Sequence, residues 1–213
     1  METIPFRYIF QFPGDEEEIF DIFLDKRILG LTDDRPEELP LWTNLNFHQC
    51  PNCLLSIHTH PRCPVAVHLV KLMKICKNLL SCDLINVKII TPERVVSKET
   101  TAQKGISSLM GLIMATSGCP HTSFLKPMAR FHLPFATEEE TVYRAVSMYL
   151  LAQYFVKKQG QKADLELEGL SKIYYNIQIM NNAMAKRLRA INDKDSAINA
   201  LILLDIFAKT LPD

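Results

Sequence analysis

Leu84-Ile85-Asn86-Val87-Lys88-Ile89-Ile90-Thr91, then Pro92-Glu93, then Arg94-Val95-Val96-Ser97-Lys98, is the stretch on which the fold turns. The first run carries Ile85, Val87, Ile89 and Ile90 and reads as a buried strand. The Pro-Glu pair turns the chain into a second, shorter strand. From about Ala102 to Ala115 the period becomes helical: Ile106, Leu109, Met110 and Ile113 form a packing stripe, and Ser108, Gly111 and Ala115 a small-residue face open to close approach.

Working towards the N-terminus, Ile4 to Phe12 alternates Phe6, Tyr8 and Phe10 with Arg7 and Gln11, and Pro13-Gly14 stops it. Ile19 to Asp25 is rich in β-formers and is expected to return as a second strand, in preference to the helix that the acidic run Asp15 to Glu18 would also suit. Gly30 to Arg62 has no sustained period and reads as irregular, with Trp42 and Phe47 as anchors. From Cys63 a helical stripe follows through Val65, Leu69, Leu72, Cys76 and Leu79, with Pro64 at the favoured first position.

Towards the C-terminus, Thr116 to Ala136 reads as a second irregular segment. Thr137-Glu138-Glu139-Glu140 is a capping box opening a long helix that Gly160 closes. Leu170, Ile173, Ile177, Met180, Met184, Leu188 and Ile191 mark another amphipathic helix, and a last one runs from about Ser196 to Lys209. The expectation is an α+β fold: a small antiparallel sheet with a cysteine-rich metal knuckle and a helical C-terminal half. Residues 1–160 would form the α+β domain and 161–213 a helical extension packed on it as one unit.

Composition narrows the function classes. With 24 basic and 24 acidic residues the 213-residue chain has no net charge, and so no global field to attract nucleic acid or an anionic membrane. A stripe of basic and aromatic residues of the kind nucleic-acid platforms use is absent. The longest apolar stretch, around Leu109 to Ala115, is far short of the roughly 20 residues a spanning helix needs. The N-terminus lacks the basic and apolar regions of a secretory signal, so a cytoplasmic location is expected. In a reducing compartment clustered cysteines are metal ligands or catalytic thiols more often than disulfides.

Three of the six cysteines precede proline: Cys50-Pro51, Cys63-Pro64 and Cys119-Pro120. The first opens Cys50-Pro51-Asn52-Cys53, a spacing that sets two thiolates on one tight turn, and a following proline pre-sets that turn and removes a competing donor. Cys76 and Cys82 are read as small buried hydrophobes. Cys50, Cys53, Cys63 and Cys119 remain as a four-thiolate metal set. The fourth place could instead fall to His60, with His58 and His121 as lesser candidates. Zinc is the default ion and an iron-sulfur cluster the competitor.

The second irregular segment also carries Arg130 and His132, which would point the same way if that stretch were extended. They would then grip an anion or carry a proton; in the simpler reading Arg130 satisfies helix carbonyls and His132 is a hydrogen-bonded core histidine. Gly-rich phosphate loops, a Gly-x-Ser-x-Gly elbow and His-Glu-x-x-His are all absent.

The strings Cys50-Pro51-Asn52-Cys53, Cys63-Pro64-Val65-Ala66, Thr91-Pro92-Glu93-Arg94, Ala115-Thr116-Ser117-Gly118-Cys119-Pro120 and Arg130-Phe131-His132-Leu133-Pro134-Phe135 together resemble a family of uncharacterised bacterial proteins, a domain of unknown function. The likeness spans about residues 47–156 and implies a bacterial, cytoplasmic origin but no activity. Leu54-Leu55 follows the knuckle where the family is associated with Cys-Pro-Leu, a departure that changes no ligand.

The expected function is a metal-binding protein, with structural zinc pinning the irregular segments so that they form a pocket or partner surface for a small molecule or protein. The alternative is a metal- or thiol-dependent enzyme using Cys119, His121, Arg130 and His132, or an iron-sulfur protein. An interaction role would leave the stripe from Leu170 to Ile191 open, with homo-oligomers forming through the C-terminal helices.

Overall fold

The computed structural model describes residues 2–14, 16–32, 38–191 and 194–210. Strand β1 (Thr3–Gln11) buries Ile4, Phe6, Tyr8 and Phe10 on alternate positions, as the period-two pattern requires. It pairs antiparallel with β2 (Glu17–Asp25), setting Tyr8 opposite Phe20. On its other edge it pairs antiparallel with β3 (Leu84–Ile90), setting Tyr8 opposite Ile89. β4 (Val95–Thr101) completes an antiparallel sheet of order β2-β1-β3-β4. The sheet's other face is solvated, with Arg7 bridging across the strand pair to Asp21.

The α+β expectation holds, with four strands and six helices among the described residues. Helix α1 (Pro64–Cys76) follows the cysteine-rich excursion, and α2 (Ala102–Thr116) follows β4 directly. α2 lies close on the buried sheet face: a methyl group at Gly105 would come within 2.9 Å of Val87 Cγ2, 3.2 Å of Ile85 Cδ1 and 3.3 Å of Phe10 Cε1. Gly105→Ala is therefore expected to destabilise the protein by about 1–3 kcal/mol through overpacking, less the smaller gain in helix propensity. Urea unfolding measures it; a variant as stable as wild type would show slack in this contact.

Residues 116–136 are more ordered than their composition suggests. Pro120–Leu125 is a 3-10 segment and α3 (Lys126–Arg130) a short helix. Prolines that read as breakers instead occupy first-turn positions, where no backbone donor is needed. The capping box at Thr137 is present, its hydroxyl accepting from the Glu140 N–H while the Glu140 carboxylate accepts from the Thr137 N–H, and it opens α4 (Glu138–Lys158). Gly160, at φ +77°, ends it.

α5 (Glu168–Arg189) and α6 (Ser196–Thr210) complete the chain. α6 packs on both α2 and α5, and Gly111 in the small-residue face meets Leu204 of α6. The stripe Leu170, Ile177, Met180, Met184, Leu188 is thereby buried, not open. One core cluster joins sheet, α1, α2 and the C-terminal helices. One smaller expectation is corrected. Cys82 is exposed, since it lies in the turn beyond α1, whereas Cys76 is buried on the stripe. Tyr175 is exposed while Tyr174 packs inward.

Candidate functional site

Four cysteines pack on the core within range of one another's charge. Cys50 and Cys53 lie on a tight turn closed by the Cys53 N–H donating to the Cys50 carbonyl at 3.0 Å. Cys63 is the N-cap of α1, its own N–H bonded to the Thr43 carbonyl at 2.8 Å. Cys119 caps the 3-10 segment after Gly118, whose φ of +91° turns the chain sharply out of α2. At Cys50, Cys63 and Cys119 the next residue is proline, so the backbone N–H that would otherwise follow is missing.

The second irregular segment does fold back onto the first. His121 Nε2 donates to the Asn52 carbonyl inside the knuckle at 2.7 Å. Asn52 Nδ2 in turn donates to Asn176 Oδ1 at 2.9 Å and to the Asn176 carbonyl at 3.2 Å, which fastens the knuckle to α5. The sulfurs lie near enough to act on one another. Burial first, and then the Cys63, Cys53 and Cys119 sulfurs, push the Cys50 thiol up to about 12 against the opposing charge of Arg187. Burial also raises Cys119, with neighbouring backbone N–H groups opposing. A thiol raised in this way is a poor nucleophile at neutral pH, contrary to the requirement of a thiol enzyme at Cys119.

All six cysteines are free. Among the described residues no three His, Cys, Asp or Glu side chains are disposed to hold a metal ion, so the knuckle is a turn of neighbouring thiols in this structure. His58 and His60 remain exposed, and His60 Nδ1 lies 3.0 Å from Thr59 Oγ1.

Arg187 is the residue that the cysteine pattern did not reveal. It extends from α5 into the knuckle's neighbourhood and is only 2% exposed. Its guanidinium donates to the carbonyls of Trp42, of Asn44 at 2.7 Å and of Leu45 at 3.3 Å, and lies 5.7 Å from the Phe47 ring centre. Among the described residues no carboxylate pairs with it; the groups of potential negative charge around it are Cys63, Cys50 and Cys53. A sequence signal existed. Arg187 sits three residues beyond Met184 and seven beyond Met180, a charged residue in step with an apolar stripe.

A second feature is a cleft of about 580 Å³ between α2, α4, α5 and α6, mainly apolar, into which His132, Ser108, Arg144 and Asn181 also face. Beneath it Tyr8, fully buried, has its hydroxyl hydrogen-bonded to His132 Nε2 and 3.0 Å from Ser108 Oγ. Burial first, and the charge of Arg144 second, depress the His132 imidazole to about 3, so it is neutral around pH 7. Burial raises the Tyr8 phenol, which stays protonated. With both neutral, Tyr8 links His132 and Ser108 in one hydrogen-bonded chain whose direction follows the imidazole tautomer.

Arg130 does not share this site. It ends α3, so the extended geometry that would align it with His132 is not formed, and its guanidinium lies over the Phe131 ring at 5.3 Å. Arg144 takes the place expected of it, donating to the carbonyls of Met128 and Phe131 at 2.8 Å each, which ties α4 to the end of α3.

The fold and these two sites define an α+β protein with a gathered thiol cluster and an apolar cleft, the segment 119–136 supplying a wall to both. The chain belongs to the family described as Domain of unknown function (DUF6901), whose model matches residues 6–213. No curated protein and no solved structure matches it. No described helix is long and apolar enough to cross a membrane.

Proposed function

We propose that the chain is a metal-binding protein in which Cys50, Cys53, Cys63 and Cys119 hold a structural ion, zinc by the chemistry of the donors, and that the ion steadies a ligand-binding cleft. One observation carries this reading: Arg187, a buried permanent cation without a carboxylate partner among the described residues, bonded only to neutral carbonyls and coupled in charge to Cys63, Cys50 and Cys53. An uncompensated buried charge is costly, and the anionic excess of a four-thiolate zinc site would supply its counter-charge. The buried Asn52 Oδ1, which has no partner among the described residues, marks the same turn as incompletely satisfied. Zinc would supply no redox chemistry; with four protein ligands it has no open position for catalysis.

The cysteines' part is to be drawn together as thiolates, and the three prolines' part is to keep competing donors away. His121 and Asn52 would hold the two segments in place before and after loading. The cleft's mainly apolar lining and its few polar groups suit a small apolar molecule with one or two hydrogen-bonding groups.

Elemental analysis and limited proteolysis of wild type and Cys50→Ser test the reading. Wild type is expected to carry one zinc per chain and Cys50→Ser far less, with faster cleavage within 44–62 and 119–136. Equal metal content and equal cleavage would overturn it, and a coloured wild type holding iron and sulfide would replace zinc by a cluster.

A further inference from the structure

α4 spans 21 residues, yet only Ala145 and Tyr149 of it are buried. Val142 and Val146 pack partly beside them, and the opposite side carries an apolar ridge. Tyr143 is 72% exposed, Leu151 59% and Tyr154 50%, with Leu150 between them. With the exposed Ser147 included, Tyr143, Ser147, Leu150, Leu151 and Tyr154 follow three- and four-residue steps, the spacing of a helix face that packs on another helix. The helix also ends in opposite charges: Glu138, Glu139 and Glu140 in its first turn, Lys157 and Lys158 in its last.

We propose that this face pairs with a second copy of the chain, α4 against α4 antiparallel, about a two-fold axis between Met148 and Tyr149. In that register Glu139 meets the partner's Lys158, Tyr143 meets the partner's Tyr154, and Ser147 meets the partner's Leu150. The match is self-complementary, as an isologous interface must be, and it opposes the acidic end of each helix to the basic end of the other. A parallel pairing would stack like charges at both ends. Ser147 at the centre lets the two backbones approach while the tyrosines close the flanks.

Sedimentation equilibrium on the full chain tests it. Wild type is expected to be a dimer at about 100 μM, well above the dissociation constant of a specific interface. Tyr154→Glu, on an exposed position, is expected to give a monomer with unchanged circular dichroism. Glu139→Lys and Lys158→Glu should each weaken dimerisation roughly tenfold or more, because each change makes two like-charge contacts per dimer, and the double variant should regain it. A monomeric wild type, or a dimer indifferent to all four variants, would overturn the proposal. Single variants that weaken dimerisation without recovery in the double variant would overturn the antiparallel register.

Discussion

Arg187→Leu is expected to lower the stability of the fold by about 3–5 kcal/mol, because three carbonyls lose their donor at once. The guanidinium is the donor for three carbonyls, those of Trp42, Asn44 and Leu45, which belong to the irregular approach to the knuckle. Each carbonyl deprived of its donor away from water costs about 1–3 kcal/mol, partly offset because a desolvated cation is removed as well. Contact with the Phe47 ring is also lost. Arg187→Lys keeps the charge but not the planar fork, and should recover less than half of the loss. Urea unfolding followed by tryptophan fluorescence is apt, since Trp42 is the chain's one tryptophan and its carbonyl is a partner. A loss below about 1 kcal/mol would mean that the carbonyls find other donors. If the four cysteines hold zinc, metal affinity should fall along with stability, because the site's counter-charge goes.

The second large effect is an acid instability that belongs to His132. Its imidazole sits at about 3 in the fold, against about 6.5 when unfolded. Between these values the unfolded chain binds a proton that the folded one refuses. Stability therefore falls as pH drops from about 6.5 to about 3, and this contribution is fully present only above that window. The residue is half-buried, so water offsets part of the penalty, and a loss of about 2–4 kcal/mol over the window is expected. The cause is burial, with the Arg144 charge adding to it. Tyr8, itself bonded to Ser108, holds the ring from beneath, and Lys98, Lys104, Glu138 and Tyr174 share the cleft. Carboxylates titrate in the same range, so the comparison is with His132→Gln, whose side-chain amide can hydrogen-bond Tyr8 as donor or acceptor without titrating. The variant's stability should depend less steeply on pH across the window. Parallel curves would show that His132 titrates as freely as in the unfolded chain.

How far these sites were legible depends on the range of the interactions that make them. The knuckle was visible because Cys50 and Cys53 are neighbours, and Cys63 because Pro64 and the apolar stripe placed it at a helix start. That Cys119 comes near them depends on the His121 bond to Asn52, formed across 69 residues. Arg187 reaches the same place from 137 positions beyond Cys50. Its local signal was one cation in step with an apolar stripe, which elsewhere would be read as a flanking surface charge. Arg130 and Arg144 exchanged roles for a similar reason. The first looked extended beside its prolines, but first-turn prolines allow a helix, and α3 carried Arg130 away while α4 delivered Arg144.

By itself the sequence determined the elements whose causes are local. Alternation of Phe6, Tyr8 and Phe10 made β1 one-sided, the Thr137–Glu140 box started α4, and the steps from Leu170 to Leu188 made α5 amphipathic. Only the tertiary structure decided which surfaces those elements would share. β1, first in the chain, became an inner strand between β2 and β3; α6 closed over α5 and left α4 as the open face; a buried cation was placed among thiols. A periodic pattern states that a face must be buried, but not against what. That choice belongs to the close approach of particular surfaces, such as Gly105 on the sheet and Gly111 beneath Leu204, where contact depends on shape across long chain separations.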